Sequence, residues 1–248
     1  MTATPVGQRC PECIGKQRTQ VRRPSSMAYA TPFVTYALIA ACVLMFLGPQ
    51  KGLSSGLVVG GGGISQQSLI DFALAGPPVA NGDWWRMFTS MFLHGSIIHL
   101  GFNMYALWIF GPAIERRFGA ARYLALYFTA GLWGSAGALI LSPNGYTVGA
   151  SGAIFGLMGA FVAIAKVQGA RDLGGVGAMI AINLVFTFAV PGISIGGHLG
   201  GLAGGLVCGA AYELLARRTR GTTTQILGVL AAVALSAIAL AVGIGAVS

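Results

Sequence analysis

The chain has 248 residues, of which 55% are hydrophobic and only 8% are charged. Soluble domains carry about 25% charged residues, so this composition excludes an ordinary soluble protein, and its apolar content excludes a disordered one. The net charge of +9 does not indicate nucleic acid as a partner, because the basic residues form short clusters between apolar runs, as topological anchors do. Membrane β-barrels lack such long runs, so the sequence predicts an all-α membrane protein.

A window of about 19 residues identifies seven candidate transmembrane spans. Polar and basic residues occupy 1–29, which we expect to be cytoplasmic. The chain also contains 39 glycines, and small residues allow transmembrane helices to pack closely. The predicted spans are 30–48, 95–113, 122–141, 150–166, 174–191, 196–215 and 225–247.

The loop 49–93 is too long to be a simple connection between the first two spans. It contains four consecutive glycines, the pair Pro77-Pro78 and an amphipathic stretch at 84–88 with the sequence WWRMF. Tryptophan and arginine are typical of the headgroup region, so we interpret this stretch as an interfacial element. A plain aromatic belt explains the same residues equally well.

The distribution of basic residues predicts the orientation of the chain. If the N-terminus is cytoplasmic, only Lys51 and Arg86 fall on the outer side. By the positive-inside rule the N-terminus is therefore inside, and seven spans place the C-terminus outside, in a multi-pass protein of the cell membrane. The basic residues on the inner side are Arg9, Lys16, Arg18, Arg22, Arg23, Arg116, Arg117, Arg122, Lys166, Arg171, Arg217, Arg218 and Arg220.

Four polar residues within the spans are candidates for a functional site, because polar groups inside a membrane are costly. His99 and Asn103 stand at i and i+4 on one face of the second span. Ser151 begins the fourth span and His198 the sixth. Counted back from the first cytoplasmic charge of each span, His99, Ser151 and His198 lie at nearly the same depth. We therefore expect them to meet near the outer face of the membrane.

The alternative is that each residue has only a structural role. A transmembrane serine commonly bonds to its own helix backbone, and a lone histidine or asparagine can join two helices. Two ridges of small residues favour a shared site, because they would let the fourth and sixth spans touch. The ridges are Gly152, Gly156 and Ala160 on the fourth span and Gly197, Gly201, Gly205 and Gly209 on the sixth.

This set of residues suits acyl transfer. A serine becomes a nucleophile when an adjacent base accepts its proton, and Ser151 with His198 could form that pair. His99, Asn103 and the Ser151 amide could donate to the developing oxyanion. The spans contain no Asp or Glu near this depth, so the sequence predicts a dyad, and it suggests no metal ligands or cofactor at this site.

Four separate motifs together resemble the rhomboid family of intramembrane serine proteases. The similarity covers about residues 30–217, with the motifs in the order expected for the family. The motifs are His94-x4-His99-x3-Asn103, Glu115-Arg116-Arg117, Gly149-Ala150-Ser151-Gly152-Ala153-Ile154-Phe155-Gly156-Leu157 and Gly197-His198-x2-Gly201-x3-Gly205.

The resemblance implies a six-helix protease core at 30–217, followed at 218–248 by a linker and a seventh helix, the six-plus-one arrangement. It implies that Ser151 is the nucleophile and His198 the base, and that His99, Asn103 and the Ser151 amide form the oxyanion hole. It also implies that 49–93 is the membrane-embedded first loop and that Phe155 packs against the catalytic histidine. The residues given a supporting role are Trp85, Arg86, Glu115, Arg117, Gly149, Gly152, Phe155 and Gly201.

The N-terminal segment departs from the resemblance. Some bacterial relatives carry a cytoplasmic module rich in Cys and His, whereas 1–29 contains only the pair Cys10 and Cys13. Two thiolates are half of a tetrahedral zinc site, so we do not expect zinc here. The pair could be the remnant of such a module, half of a site completed by a second chain, or without function.

The function that this reasoning favours is an intramembrane serine endopeptidase without a cofactor, whose partners are transmembrane protein substrates and the lipid bilayer. The fifth span, 174–191, is the candidate gate for substrate entry. The alternative is a non-catalytic rhomboid-like binder, which would be expected to lose Ser151 or His198. A histidine-based transporter lacks visible inverted repeats, and a metalloprotease is disfavoured because no HExxH motif occurs.

Overall fold

The computed structural model describes residues 2–4, 7–9, 31–48, 64–170 and 173–248. The chain divides into two compact units, Met1–Ala30 and Thr31–Ser248. In the first unit, strands β1 (Thr2–Thr4) and β2 (Gly7–Arg9) pair antiparallel. Cys10 and Cys13 lie outside the described residues, so the expectation about zinc is not addressed.

The second unit is helical throughout its described ranges. A short 3₁₀ turn, Ser90–Phe92, precedes the fifth helix, and an isolated pair of backbone hydrogen bonds joins Leu74 to Thr147. The α-helices are α1 (Phe33–Leu47), α2 (Gln66–Phe72), α3 (Gly76–Ala80), α4 (Arg86–Thr89), α5 (Ile97–Phe118), α6 (Ala120–Leu141), α7 (Ser151–Val167), α8 (Gly174–Ala189), α9 (Ile195–Arg218) and α10 (Gly221–Gly245).

Each of the seven predicted spans overlaps one apolar helix. Four of these helices, α5, α6, α9 and α10, have 22 to 25 residues and are long and apolar enough to cross a membrane. The other three, α1, α7 and α8, are apolar but have 15 to 17 residues. The prediction of an all-α multi-pass membrane protein is confirmed, and the six-plus-one count stays a prediction.

Helices α6, α7 and α9 form the centre of the bundle, where their backbones touch through glycines. A Cβ atom on Gly201 would overlap the carbonyl oxygen of Gly152, and one on Gly205 would overlap that of Gly156. On α6, a Cβ on Gly134 would lie 2.9 Å from the Gly197 carbonyl oxygen. The two predicted ridges therefore face each other, and α9 lies directly against the first turns of α7.

Two acidic side chains, Glu115 and Glu213, bind other helices near the C-terminal end of α5. The carboxylate of Glu115 accepts hydrogen bonds from the Val34 and Thr35 amides and from the Thr35 hydroxyl, at 2.7 to 2.9 Å. It thus satisfies the otherwise unpaired N-terminus of α1. Arg117 forms a bidentate ion pair with Glu213 on α9, at 2.8 and 2.6 Å, a planar geometry that fixes α5 relative to α9.

The polar contacts of Arg86 hold the segment 64–96 together. The Arg86 guanidinium donates to the carbonyl oxygens of Ile70 and Ala73 and pairs with Asp83 at 2.9 Å, while it lies 5.0 Å from the centre of the Trp85 ring. Arg86 is only 7% exposed. Its partners are the Asp83 carboxylate and two backbone carbonyls, all inside the segment itself, and the interfacial position expected from the sequence stays a prediction.

Helix α10 lies along α6. The Thr129 hydroxyl contacts the Ala232 carbonyl at 3.1 Å and the Ser236 hydroxyl at 2.9 Å, and the Trp133 indole donates to the Leu235 carbonyl at 3.1 Å. Polar contacts of this kind join transmembrane helices where apolar packing alone gives little preference. The last helix is therefore an integral part of this face of the bundle.

Candidate active site

Ser151 is the first residue of α7, directly after a turn that only glycine adopts readily. Gly149 has a φ of +124°, in the region that side-chain-bearing residues avoid. Its amide donates to the Ser90 carbonyl at 2.9 Å, which ties the turn to the segment before α5. The Ser151 amide is among the first N–H groups of the helix, which have no partner within the helix, so it is free to serve as a donor.

His99 and Ser151 both lie close to Gly149. A Cβ atom built on Gly149 would be 2.8 Å from both Cε1 and Nε2 of His99 and 3.7 Å from the Ser151 hydroxyl oxygen. Any side chain at this position would therefore clash with the imidazole edge and contact the hydroxyl oxygen. The structure brings these two predicted residues together and gives Gly149 a steric reason to be glycine.

The hydrogen bonds of His99 define its tautomer. The Gly95 amide donates to His99 Nδ1 at 3.4 Å, and an amide N–H can only donate. In the neutral ring the proton is therefore on Nε2, the atom that faces Gly149 and the Ser151 side. His99 thus presents a donor, the chemistry that an oxyanion requires.

A second histidine supports this ring. His94 is fully buried, and its ring centre lies 5.2 Å from that of His99, in an edge-to-face arrangement. Its Nδ1 lies 3.3 Å from the Phe92 carbonyl oxygen. Burial, reinforced by the nearby His99, lowers the pKa of His94 to about 4, so the ring is neutral near pH 7.

Asn103 lies one turn further along α5 and is only 5% exposed. Its Nδ2 donates to the His99 carbonyl at 2.8 Å, and its Oδ1 has no hydrogen-bond partner within the part of the chain that the structure describes. One Nδ2 hydrogen is thus left over for another acceptor. The observed hydrogen bond joins Asn103 only to its own helix, α5, as expected if its role is structural.

His198 lies on α9, with its ring stacked on Phe155. The ring centres are 4.0 Å apart and the planes differ by 17°. Since Phe155 is one turn beyond Ser151 on α7, the stack holds the imidazole beside the first turn of that helix. No hydrogen bond joins Ser151 to His198 in the described residues, whereas His198 Nδ1 lies 2.7 Å from the Thr187 hydroxyl.

The site residues predicted from the sequence did not include Thr187 or Ser90. The carbonyl of Ser90 acts through the backbone, for which a sequence carries no signal. Thr187 stands at i+4 from Asn183 in an apolar span, the same spacing that drew attention to His99 and Asn103. A search for polar pairs in every span would have found it.

A small cavity of about 20 Å³ opens beside Ser151, which is room for one water molecule. Hydroxyl-bearing residues from four different chain segments line it. These residues are Ser90, Ser135, Thr147, Ser151 and Ser194. A hydrolytic reaction needs such a place for water beside the nucleophile.

The sequence is similar to proteins of one known family. Residues 81–215 match the model of the Rhomboid domain. The chain is 40% identical over 188 residues to "Rhomboid protease GluP" of Bacillus subtilis, covering 74% of this chain and 35% of that protein. It is 37% identical over 134 residues to "Putative rhomboid protease YdcA" of the same organism, covering 52% of this chain and 67% of that protein. A plant relative, "RHOMBOID-like protein 4" of Arabidopsis thaliana, is 32% identical over 153 residues, 59% of this chain and 38% of its own length.

The chain therefore spans about a third of the length of the first of these relatives and two thirds of the second. The family model covers more than half of the 248 residues and includes the helices that carry His99, Ser151 and His198. Both the matched region and the bacterial relatives lead to one conclusion: the chain belongs to the rhomboid family.

Proposed function

We propose that the chain is an intramembrane serine endopeptidase that cleaves transmembrane segments of other membrane proteins. The observation that carries the proposal is the arrangement around Gly149, where the Ser151 hydroxyl and the donor edge of His99 both lie close to one point of the backbone. His198, stacked on Phe155 in the next turn of α7, supplies the base.

The proposed reaction begins when the Ser151 oxygen attacks the scissile carbonyl carbon while His198 Nε2 takes the hydroxyl proton. The carbonyl oxygen becomes an oxyanion, which the Ser151 amide, His99 Nε2–H and Asn103 Nδ2–H stabilise. His198 then gives its proton to the leaving amine, and an acyl-enzyme remains. Water, deprotonated by His198, then attacks the acyl carbon, and His198 returns that proton to the Ser151 oxygen as the bond to the acyl group breaks, which restores the free serine and the neutral base.

The Ser151–His198 hydrogen bond must form when substrate binds. The serine side chain has a single rotatable bond with three staggered positions, so a rotation about χ1 changes the direction of its oxygen without any backbone movement. Catalytic hydrogen bonds are often long in the free enzyme and tighten in the complex. The lack of a Ser151–His198 hydrogen bond in the described residues is therefore compatible with the dyad.

The proposal is tested with purified protein in liposomes and a model single-span substrate. We expect cleavage within or near the transmembrane segment, with the cut mapped by mass spectrometry. A fluorophosphonate should block cleavage and label Ser151, whereas a chelator should leave cleavage intact. Binding of the substrate without cleavage or labelling would contradict the proposal and favour the non-catalytic binder.

The position of the site relative to the membrane is also a proposal: N-terminus inside, site near the outer face. Asn144 is exposed between α6 and α7, and Arg220 is exposed between α9 and α10. In a variant with Cys10 and Cys13 replaced by Ser, Cys42 and Cys208 remain but are buried. In that background, Asn144→Cys should react with an impermeant maleimide on intact cells, and Arg220→Cys should react only after lysis. The reverse pattern would contradict the orientation.

Asn103 separates the catalytic from the structural interpretation of the second span. As an oxyanion donor it acts mainly in the transition state, so Asn103→Ala should lower kcat by about 10²- to 10³-fold with little change in KM. If Asn103 only braces α5, the variant should lose thermal stability while the folded fraction retains its kcat. Measuring kcat and Tm on one preparation decides between the two, and an unchanged kcat would remove Asn103 from the oxyanion hole.

A further inference from the structure

Thr187 on α8 makes two hydrogen-bond contacts with a single hydroxyl group. Its oxygen lies 2.8 Å from the Asn183 carbonyl oxygen and 2.7 Å from His198 Nδ1. Thr187 is 1% exposed and His198 is 8% exposed, so water does not compete freely for either contact. The arrangement is a buried relay from a backbone carbonyl through a hydroxyl to the imidazole.

The single hydroxyl proton determines the direction of the relay. The Asn183 carbonyl can only accept, so at 2.8 Å the proton between the two oxygens must come from Thr187. If that proton pointed to His198 instead, two oxygen lone pairs would face each other in a buried site. The Thr187 oxygen therefore accepts a hydrogen bond at its other contact, and the donor there is His198 Nδ1–H.

A neutral imidazole has one ring proton. With that proton on Nδ1, the other nitrogen, Nε2, has a free lone pair, which is the form that a general base needs. In the charged ring both nitrogens carry protons, and the Nδ1–H···Oγ contact is retained. The same partner therefore suits His198 before and after it takes a proton.

We propose that Thr187 is a positioning residue that holds His198 in the Nδ1–H tautomer, in the place that an acidic residue takes in a triad. The tautomer follows from the contacts alone, whereas its effect on catalysis rests on the function proposed above. No carboxylate hydrogen-bonds to His198 in the described residues. A neutral hydroxyl orients the ring without placing a second charge in the site.

The tautomer is measured by nitrogen NMR on protein labelled with ¹⁵N-histidine in lipid bilayers. The chain has three histidines, and the signals that disappear in His198→Gln identify His198. At a pH where the ring is neutral, we expect a protonated Nδ1 and an unprotonated Nε2. Thr187→Ser should keep this pattern, and Thr187→Val, which keeps the shape but loses the acceptor, should shift it toward the Nε2–H form.

Kinetics supply the second readout. Thr187→Val should lower kcat by about 10- to 100-fold, the size of loss seen when the outer hydrogen-bond partner of a metal-binding histidine is removed, with KM little changed. Thr187→Ser should restore most of it. Thr129→Val is the matched control, because Thr129 is also fully buried and also donates to its own helix, at the Ala125 carbonyl, but contacts α10 rather than the site.

A wild-type His198 protonated at Nε2, or signals unaffected by Thr187→Val, would overturn the inference even if Ser151-dependent cleavage is found. The NMR measurement needs no turnover. A chain that shows the Nδ1–H form but never cleaves a substrate would therefore contradict only the proposed protease function. An equal fall of kcat in the Thr187→Val and Thr129→Val variants would reduce the role of Thr187 to stability and overturn the inference.

Discussion

Replacing Ser151 by alanine should abolish cleavage of a transmembrane substrate, and His198→Ala should do the same. Each change removes one half of a unit that transfers a proton from hydroxyl to imidazole, so we expect a fall in kcat on the order of 10⁵- to 10⁶-fold for either one. The double variant should be no worse than the single ones, because the two residues act together. Single-turnover assays on purified, folded protein measure this.

Folding provides the control for these two variants. Ser151 is half-buried at a helix start, and its alanine variant loses no hydrogen bond seen in the described residues, so its Tm should be close to that of wild type. His198→Ala removes a ring stacked on Phe155 and should lower the Tm. Substantial turnover by folded Ser151→Ala protein would exclude Ser151 as the nucleophile.

Adding one methyl group at Gly205 should disrupt the bundle. The Cβ of Gly205→Ala would overlap the carbonyl oxygen and other backbone atoms of Gly156, and backbone cannot move aside as a flexible side chain can. Overpacking of this kind costs about 3 kcal/mol of unfolding free energy or more. Since α9 carries His198 and α7 carries Ser151, we expect loss of activity together with a large fall in Tm.

The matched control is Gly101→Ala on α5. A Cβ atom there meets nothing within 4 Å, and alanine favours helix over glycine by about 1 kcal/mol. This variant should be as stable as wild type or more stable, with cleavage retained. Equal Tm values for the Gly205→Ala and Gly101→Ala variants would contradict the close contact between α7 and α9.

The extent to which the sequence predicts this fold follows from what hydropathy measures. Long apolar runs predict helices because a backbone in lipid must satisfy its own hydrogen bonds, and α9, expected at 196–215, runs from Ile195 to Arg218. Hydropathy does not say which helices touch. The attachment of α10 to α6 depends on Thr129 and Trp133, two ordinary residues in an apolar run.

The candidate site was predictable where a residue is both polar and inside a span, as for His99, Ser151 and His198. It was not predictable where a residue depends on a hydrogen-bond partner that the sequence does not indicate. Nothing in the sequence near Arg86 indicates that the carbonyls of Ile70 and Ala73 accept its hydrogen bonds. The Thr187–His198 contact likewise depends on how α8 approaches α9, which a one-dimensional pattern does not contain.

The attachment of α10 to α6 affects the side from which a membrane helix can reach the bundle. α6 is covered by α7, α9 and α10, so lipid and other membrane helices are shut out from that flank. In contrast, α8 buries only Ile180 and Thr187 and turns side chains such as Phe186 and Phe188 outward. A substrate helix that enters past α8, the candidate gate predicted from the sequence, would contact the same helix whose Thr187 hydroxyl contacts His198. Substrate entry and proton transfer would then both depend on α8, so a substrate helix that displaces α8 would also change the orientation of His198.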